Sequence, residues 1–189
     1  MAKSFDPQII NPIITGLVEE LIVTKGNLVT SKPFDLAVKT IDEYEDRMRV
    51  KASDKFDVAV YIATISFYLN QSEMKIHRAR GAMVLYMDSE VADKLLKAAG
   101  FQVPYDEDDE SMMSLCGSLC ESIAHSLCDR LAAAGFLKLE TSIPGVYKNS
   151  IPEGVEFSKD QDEKQELSFY FLKHKALVID WTLAPIAKK

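Results

Sequence analysis

The chain has 189 residues, 47% of them apolar and 27% charged, with a formal net charge of −7. That composition belongs to an ordinary globular protein able to bury its own core. The acidic balance excludes nonspecific binding to nucleic acid or anionic membranes, which needs a basic surface.

The segment FDPQIINPIITGLVEELIVTKG opens with Asp6-Pro7 and closes with Lys25-Gly26. Its apolar residues recur at helical spacing, which predicts a helix over residues 7–24. NLVTSKPFDLAVKTIDEYE moves from loop punctuation to alternation, so short strands are expected there. KFDVAVYIATISFYL (55–69) is rich in β-branched and aromatic residues and predicts a strand buried on one or both faces. ARGAMVLYM (79–87) predicts another, with Gly81 allowing a close approach. The Lys75–Arg80 run between them is broken by apolar residues and reads as an edge or loop. DSEVADKLLKAAGF predicts a short helix with Asp88 or Ser89 as N-cap and Gly100 at its C-terminus.

The charged loop VPYDEDDE leads into the longest helical pattern, roughly residues 109–134, stopped by Gly135. Its acidic start suits the positive end of the helix dipole. FLKLETSIPGVYK reads as a strand and then a loop at Pro144, and NSIPEGVEFSKDQDEKQ as a polar loop. ELSFYFLKHKALVIDWTLAP reads as two strands around Lys173–Lys175. The sum is a sheet-rich α+β domain with two principal helices, expected to be one domain over residues 1–189.

Three cysteines, all between 116 and 128, do not make a secreted disulfide framework. MAKSFDPQII lacks the apolar core of a signal peptide and no stretch reaches a membrane span, so the cytoplasm is expected.

Chemistry-bearing residues concentrate in SLCGSLCESIAHSL (114–127). At about 100° per residue, Cys116, Cys120, Leu119, Ile123, Ala124, Leu127 and Leu131 share one face. Ser114, Ser118, Glu121, Ser122, His125 and Asp129 share the other. A metal site would need the two thiols to join His125, which points away, and His77 and His174 bring no matching pair spacing, so no metal is expected. The thiols read as small core residues. Ser118 or Ser122 lies beside His125, yet nothing supplies the sharp turn that presents a nucleophile. The outward face carries three serines and one carboxylate over three turns. Lys–Glu pairs would be the usual choice for a solvated face, and short side chains let another protein approach closely. An interaction face is the expectation.

Four stretches resemble the CheX/CheC family of chemotaxis phosphatases: IINPIITGLVEEL (9–21), ARGAMVLYMDSEVADKLL (79–96), CGSLCESIAHSL (116–127) and GFLKLETSIPGVY (135–147). The resemblance implies an antiparallel-rich sheet packed against two principal helices. It implies a protein of chemotaxis or two-component signalling that binds a CheY-type response regulator and removes its aspartyl phosphate. The family motif places an acid or Ser, a Glu, an Asn and a later Pro at positions held here by Ser114, Ser118, Glu121 and Pro144, and the gap of twenty-two residues between the last two is kept. The Glu and Asn are therefore replaced by Ser118 and Glu121. In the family the amide is implied to orient the attacking water and the carboxylate to pair with a receiver lysine. Ser118 cannot make that pair, a loss of about 1.5–3 kcal/mol of charge-assisted bonding. Glu121 could hold a water, but would set a negative charge before an anionic phosphoryl group unless burial kept it protonated or it paired with His125.

The resemblance thus implies Ser118 and Glu121 at the catalytic positions, with hydrolysis in doubt, and Ser114, Ser118, Glu121, Ser122 and His125 as the partner-binding set. No cofactor of the chain's own is implied, since Mg²⁺ would belong to the receiver. The alternatives are a non-signalling scaffold module and an unrelated enzyme on the same fold with its own pocket. The family also implies homodimers joined at sheet edges. FYFLKHKALVIDW would suit such a join or the middle of one sheet.

Overall fold

The computed structural model describes residues 5–189; the first four residues of the N-terminal stretch read above lie outside it. The first helix forms as α1 (Pro7–Val18) and runs directly into a π-helical turn at Glu19–Thr24. Asp6 caps it, its carboxylate accepting from Gln8 N at 2.9 Å, and Pro7 fills a first-turn position where an N–H would have no helical partner. Buried Asn11 accepts from Trp181 Nε1 at 2.8 Å, which pins the helix to the sheet by a polar contact within the core.

Among the described residues, ten strands follow in two layers. β1 (Thr30–Thr40), β4 (Val60–Tyr68), β5 (Gly81–Asp88), β6 (Glu140–Thr141), β7 (Gly145–Lys148), β9 (Glu163–Phe171) and β10 (His174–Leu183) form an antiparallel sheet. Its order is β1-β9-β10-β5-β4-β6, with β7 also on β4. β2 (Glu43–Tyr44), β3 (Arg47–Lys51) and β8 (Ser150–Val155) make a small sheet in the order β2-β3-β8. Three further helices are α2 (Gln71–Lys75), α3 (Ala92–Ala98) and α4 (Asp109–Ala133).

The centre of the large sheet is buried on both faces, which is why β4 and β5 have no exposed position. Tyr61, Ala63, Ile65 and Phe67 of β4 face α1 and α4, together with Met83, Leu85 and Met87 of β5. The alternate residues Val60, Ile62, Ala82, Val84 and Tyr86 pack against Met48, Val50, Ile151 and Val155 of the small sheet. The fold is α+β, an antiparallel sheet with two principal helices on one face, as expected.

Three readings need correction. Residues 150–155 are not loop but strand β8, because Ile151 and Val155 pair with Val50 and Met48 and bury their side chains there. Residues 30–40 are one long strand rather than several short ones, held by β9. Neither Asp88 nor Ser89 caps α3: Val91 stands at the N-cap, and Asp88 ends β5 with its carboxylate bonded to Glu90 N at 2.8 Å. Gly100 and Gly135, both with positive φ, do end their helices. The Lys75–Arg80 run falls at the end of α2 and the loop after it. Strands 169–181 lie in the middle of the large sheet, joined by a tight turn at Leu172-Lys173.

Candidate functional site

The polar face of α4 is where the sequence places it. Asp108 caps the helix, accepting from Ser111 N at 2.9 Å. Asp109 in the first turn accepts from Lys148 Nζ at 2.6 Å and Tyr61 Oη at 2.8 Å, which fastens the helix start to β7 and β4. Those bonds hold the Asp109 carboxyl below the usual carboxylate range, while burial and Asp109 push the Tyr61 hydroxyl up to about 12.

Cys116, Cys120 and Cys128 are free and buried, and Cys120 Sγ donates to Ala63 O at 3.8 Å. Burial raises all three thiols, Cys128 to about 12. Among the described residues, no three His, Cys, Asp or Glu side chains gather as metal ligands.

Ser114, Ser122 and His125 are exposed, and Ser118 and Glu121 half-buried. The hydroxyls turn back on their own helix: Ser118 Oγ donates to Ser114 O at 3.2 Å and Ser122 Oγ to Ser118 O at 2.9 Å. His125 Nε2 lies 2.9 Å from Thr141 Oγ1 of β6, so it pairs with the neighbouring strand and not with Glu121. Glu121 takes part in no ion pair, so the cation its carboxylate would need is absent within the chain's described residues. No Ser–His couple forms on this face among the described residues either.

The loop carrying Pro144 lies against this helix. A Cβ added at Gly117 would meet Val146 Cγ1 at 2.7 Å, so a larger residue there would push that side chain aside, and Pro144 Cβ would lie in ordinary contact at 3.5 Å. Ser114, Ser118, Glu121 and Pro144, separate in sequence, are thus brought to one side of the molecule. Ile143, beside the proline, is 89% exposed. Neither His125's bond to Thr141 nor this exposed apolar residue has a local signal in the sequence, since both depend on how β6 and β7 dock.

A different enzyme on this fold should show convergent polar groups elsewhere. A cavity of about 560 Å³ lies between the loop after α2, the β2–β3 turn and residues 156–160. Glu156 sits in it, accepting from Tyr68 Oη at 2.5 Å and Arg47 Nη2 at 3.2 Å and lying 2.6 Å from His77 Nδ1. Burial, with Glu156, pushes the Tyr68 hydroxyl far up. Glu156 thus ties Tyr68, Arg47 and His77, from three segments, into one cluster.

No protein-family model matches the chain, and no curated protein matches it in sequence. Its fold is that of solved chemotaxis proteins. A CheC-like superfamily protein from Shewanella sp. PV-4 superposes with a TM-score of 0.62 at 15% identity, over 96% of this chain and 100% of that one. CheX from Vibrio vulnificus gives 0.56 at 12%, over 93% and 98%. CheX from Borrelia burgdorferi, solved in complex with CheY, BeF₃ and Mg²⁺, gives 0.50 at 12%, over 96% and 97%.

Proposed function

We propose that the outward face of α4 binds the receiver domain of a CheY-type response regulator, in chemotaxis or a related two-component pathway, without efficient hydrolysis of its aspartyl phosphate. The observation that carries this reading is the assembly of Ser114, Ser118, Glu121 and Pro144 on one accessible surface of a CheC-like fold. The CheX–CheY complex of Borrelia burgdorferi supports a receiver as partner.

The face suits docking better than catalysis. Ser118, neutral and bonded to its own helix, cannot attract a receiver lysine. Glu121 has no cation beside it to offset the repulsion of a phosphoryl group. Removing both groups that act in a transition state leaves binding energy but little rate. Ser122 and His125 widen the contact surface, and Mg²⁺ belongs to the receiver. The chain itself works in the cytoplasm with no cofactor.

The test is the dephosphorylation rate of a phosphorylated receiver with and without the protein, beside Glu121→Ala. The expected result is detectable binding with a phosphate lifetime little changed. Strong acceleration lost in Glu121→Ala would instead make Glu121 a working substitute for the amide. No binding to any receiver leaves the second reading, a scaffold using the same short-side-chain face.

For self-association, the outer edge β1 is the candidate, not β9–β10. It leaves Phe34, Leu36 and Val38 on one side 40%, 50% and 55% exposed. Residues at alternate positions share a face, and an edge-to-edge homodimer would set the same strip of a second copy alongside them. Charge reversal at Leu36 should yield a monomer in analytical ultracentrifugation.

A further inference from the structure

On the layer opposite α4, a cavity of about 310 Å³ is lined by Lys39 and Thr40 of β1, Asp42, Arg49 and Lys51 of β3, Ser53, Asp54, Lys55 and Lys164 of β9. Five cations converge there from four segments of a chain whose net charge is −7. Two carboxylates share the lining.

The inner cations are built into the fold. The Lys55 side chain is 2% exposed, and its Nζ bonds Glu166 and lies 3.1 Å from Asp180 Oδ1. Lys164 Nζ reaches Asp180 Oδ2 at 2.6 Å, and the Tyr86 hydroxyl donates to the same oxygen at 3.2 Å. Glu166 and Asp180 therefore neutralise the two inner lysines and fix them in place. An ammonium has three donors, and Lys164 uses one of them on Asp180. The outer cations are less engaged. Lys39 and Lys51 make no ion pair among the described residues, and Arg49 meets Asp42 only at 4.0 Å, both exposed. Thr40 and Ser53 line the cavity beside them.

We infer that this pocket binds a small dianion of the phosphate class, either free or as the phosphoryl group of a small metabolite. The fixed Lys164 and the outer Lys39, Arg49 and Lys51 provide donors on several sides of a space sized for such a ligand. Acidic surroundings keep affinity modest and disfavour large polyanions. The pocket acts independently of α4 and its partner.

The test is thermal unfolding of the full chain in 10 mM inorganic phosphate against sodium chloride of equal ionic strength. Wild type should gain about 3 °C over chloride. Lys51→Glu and Lys39→Glu alter exposed side chains, so the fold should survive, and each should reduce the gain to under about 1 °C. No gain over chloride in wild type overturns the inference, as does an equal gain in both variants. Glycerol 3-phosphate serves as a second probe: a larger gain than phosphate assigns the site to a carried phosphoryl group, and an equal one to the free ion. Amide shifts at Lys51, Ser53 and Lys164 in a phosphate NMR titration give a readout that does not depend on stability. Shifts confined to α4 would overturn the assignment.

Discussion

Two clusters of polar side chains sit on opposite faces of the same sheet and are treated in opposite ways. Around Asp180, which is fully buried, every charge is answered: Lys55, Lys164 and Tyr86 surround it, and Glu166 completes the set. On α4 the serines bond to their own helix, His125 bonds to Thr141, and Glu121 is left without an ion pair. Groups in the first cluster hold the protein together, because a buried charge without a partner costs several kcal/mol. Groups in the second cost little as they stand, because water reaches them. Completeness of pairing inside the chain thus separates a structural polar cluster from one open to a partner.

Removing one member of the buried cluster is the most severe way to break that contrast. Lys55→Met should lower the unfolding free energy by about 3–5 kcal/mol in urea, since Glu166 and Asp180 lose their shared cation. A loss below about 1 kcal/mol would show that the cluster is not structural. The matching change on α4, Ser122→Arg, should weaken receiver binding at least tenfold and move stability by no more than about 0.5 kcal/mol.

A pH series sharpens the distinction. Burial alone would raise the Glu166 carboxyl, but Lys55 reverses this and holds it below its ordinary value. Burial likewise opposes the Lys55 charge, and Asp180 and Glu166 hold its ammonium above its ordinary value. A depressed carboxyl stabilises above its unfolded pKa, and that stability is lost as pH falls through the folded one. A raised ammonium stabilises below its unfolded pKa and loses that as pH rises through the folded one. The gap between wild type and Lys55→Met should therefore be full between about pH 5 and 10 and shrink outside that window. The smallest effect is expected from the thiols: a thiol reagent at pH 8 should leave native protein unlabelled and label all three cysteines in denaturant.

Most of the helical layer was legible in the sequence. The periodicity of residues 7–24 and 109–134 states which face is apolar, and Pro7, the acidic run before residue 109 and Gly135 mark ends by local chemistry. The paired central strands were also plain, since both faces are buried and nearly every residue is apolar or aromatic. Strand β8 was not, because SIPEGV carries turn residues and becomes a strand only by pairing with β3. On α4 the sorting of Ser114, Ser118, Glu121, Ser122 and His125 to one side followed from the helical angle alone. The bond from His125 to Thr141 and the approach of Pro144 at Gly117 are tertiary facts with no local signal. The Lys55–Asp180 cluster is hidden for the same reason: its members come from a loop and from the three strands β5, β9 and β10.

The edge strand β1 has a consequence for synthesis. Its ladder partner is β9, with Thr40 opposite Glu163, so β1 stays unpaired until that far downstream strand has left the ribosome. Through that interval Phe34, Leu36 and Val38 form an alternating apolar strip open to neighbouring nascent chains. Lys32, Pro33, Asp35 and Lys39 interrupt it with charge and a missing amide donor, the residues that discourage cross-chain pairing. Expression yield, more than the stability of the finished molecule, should respond when those four are replaced.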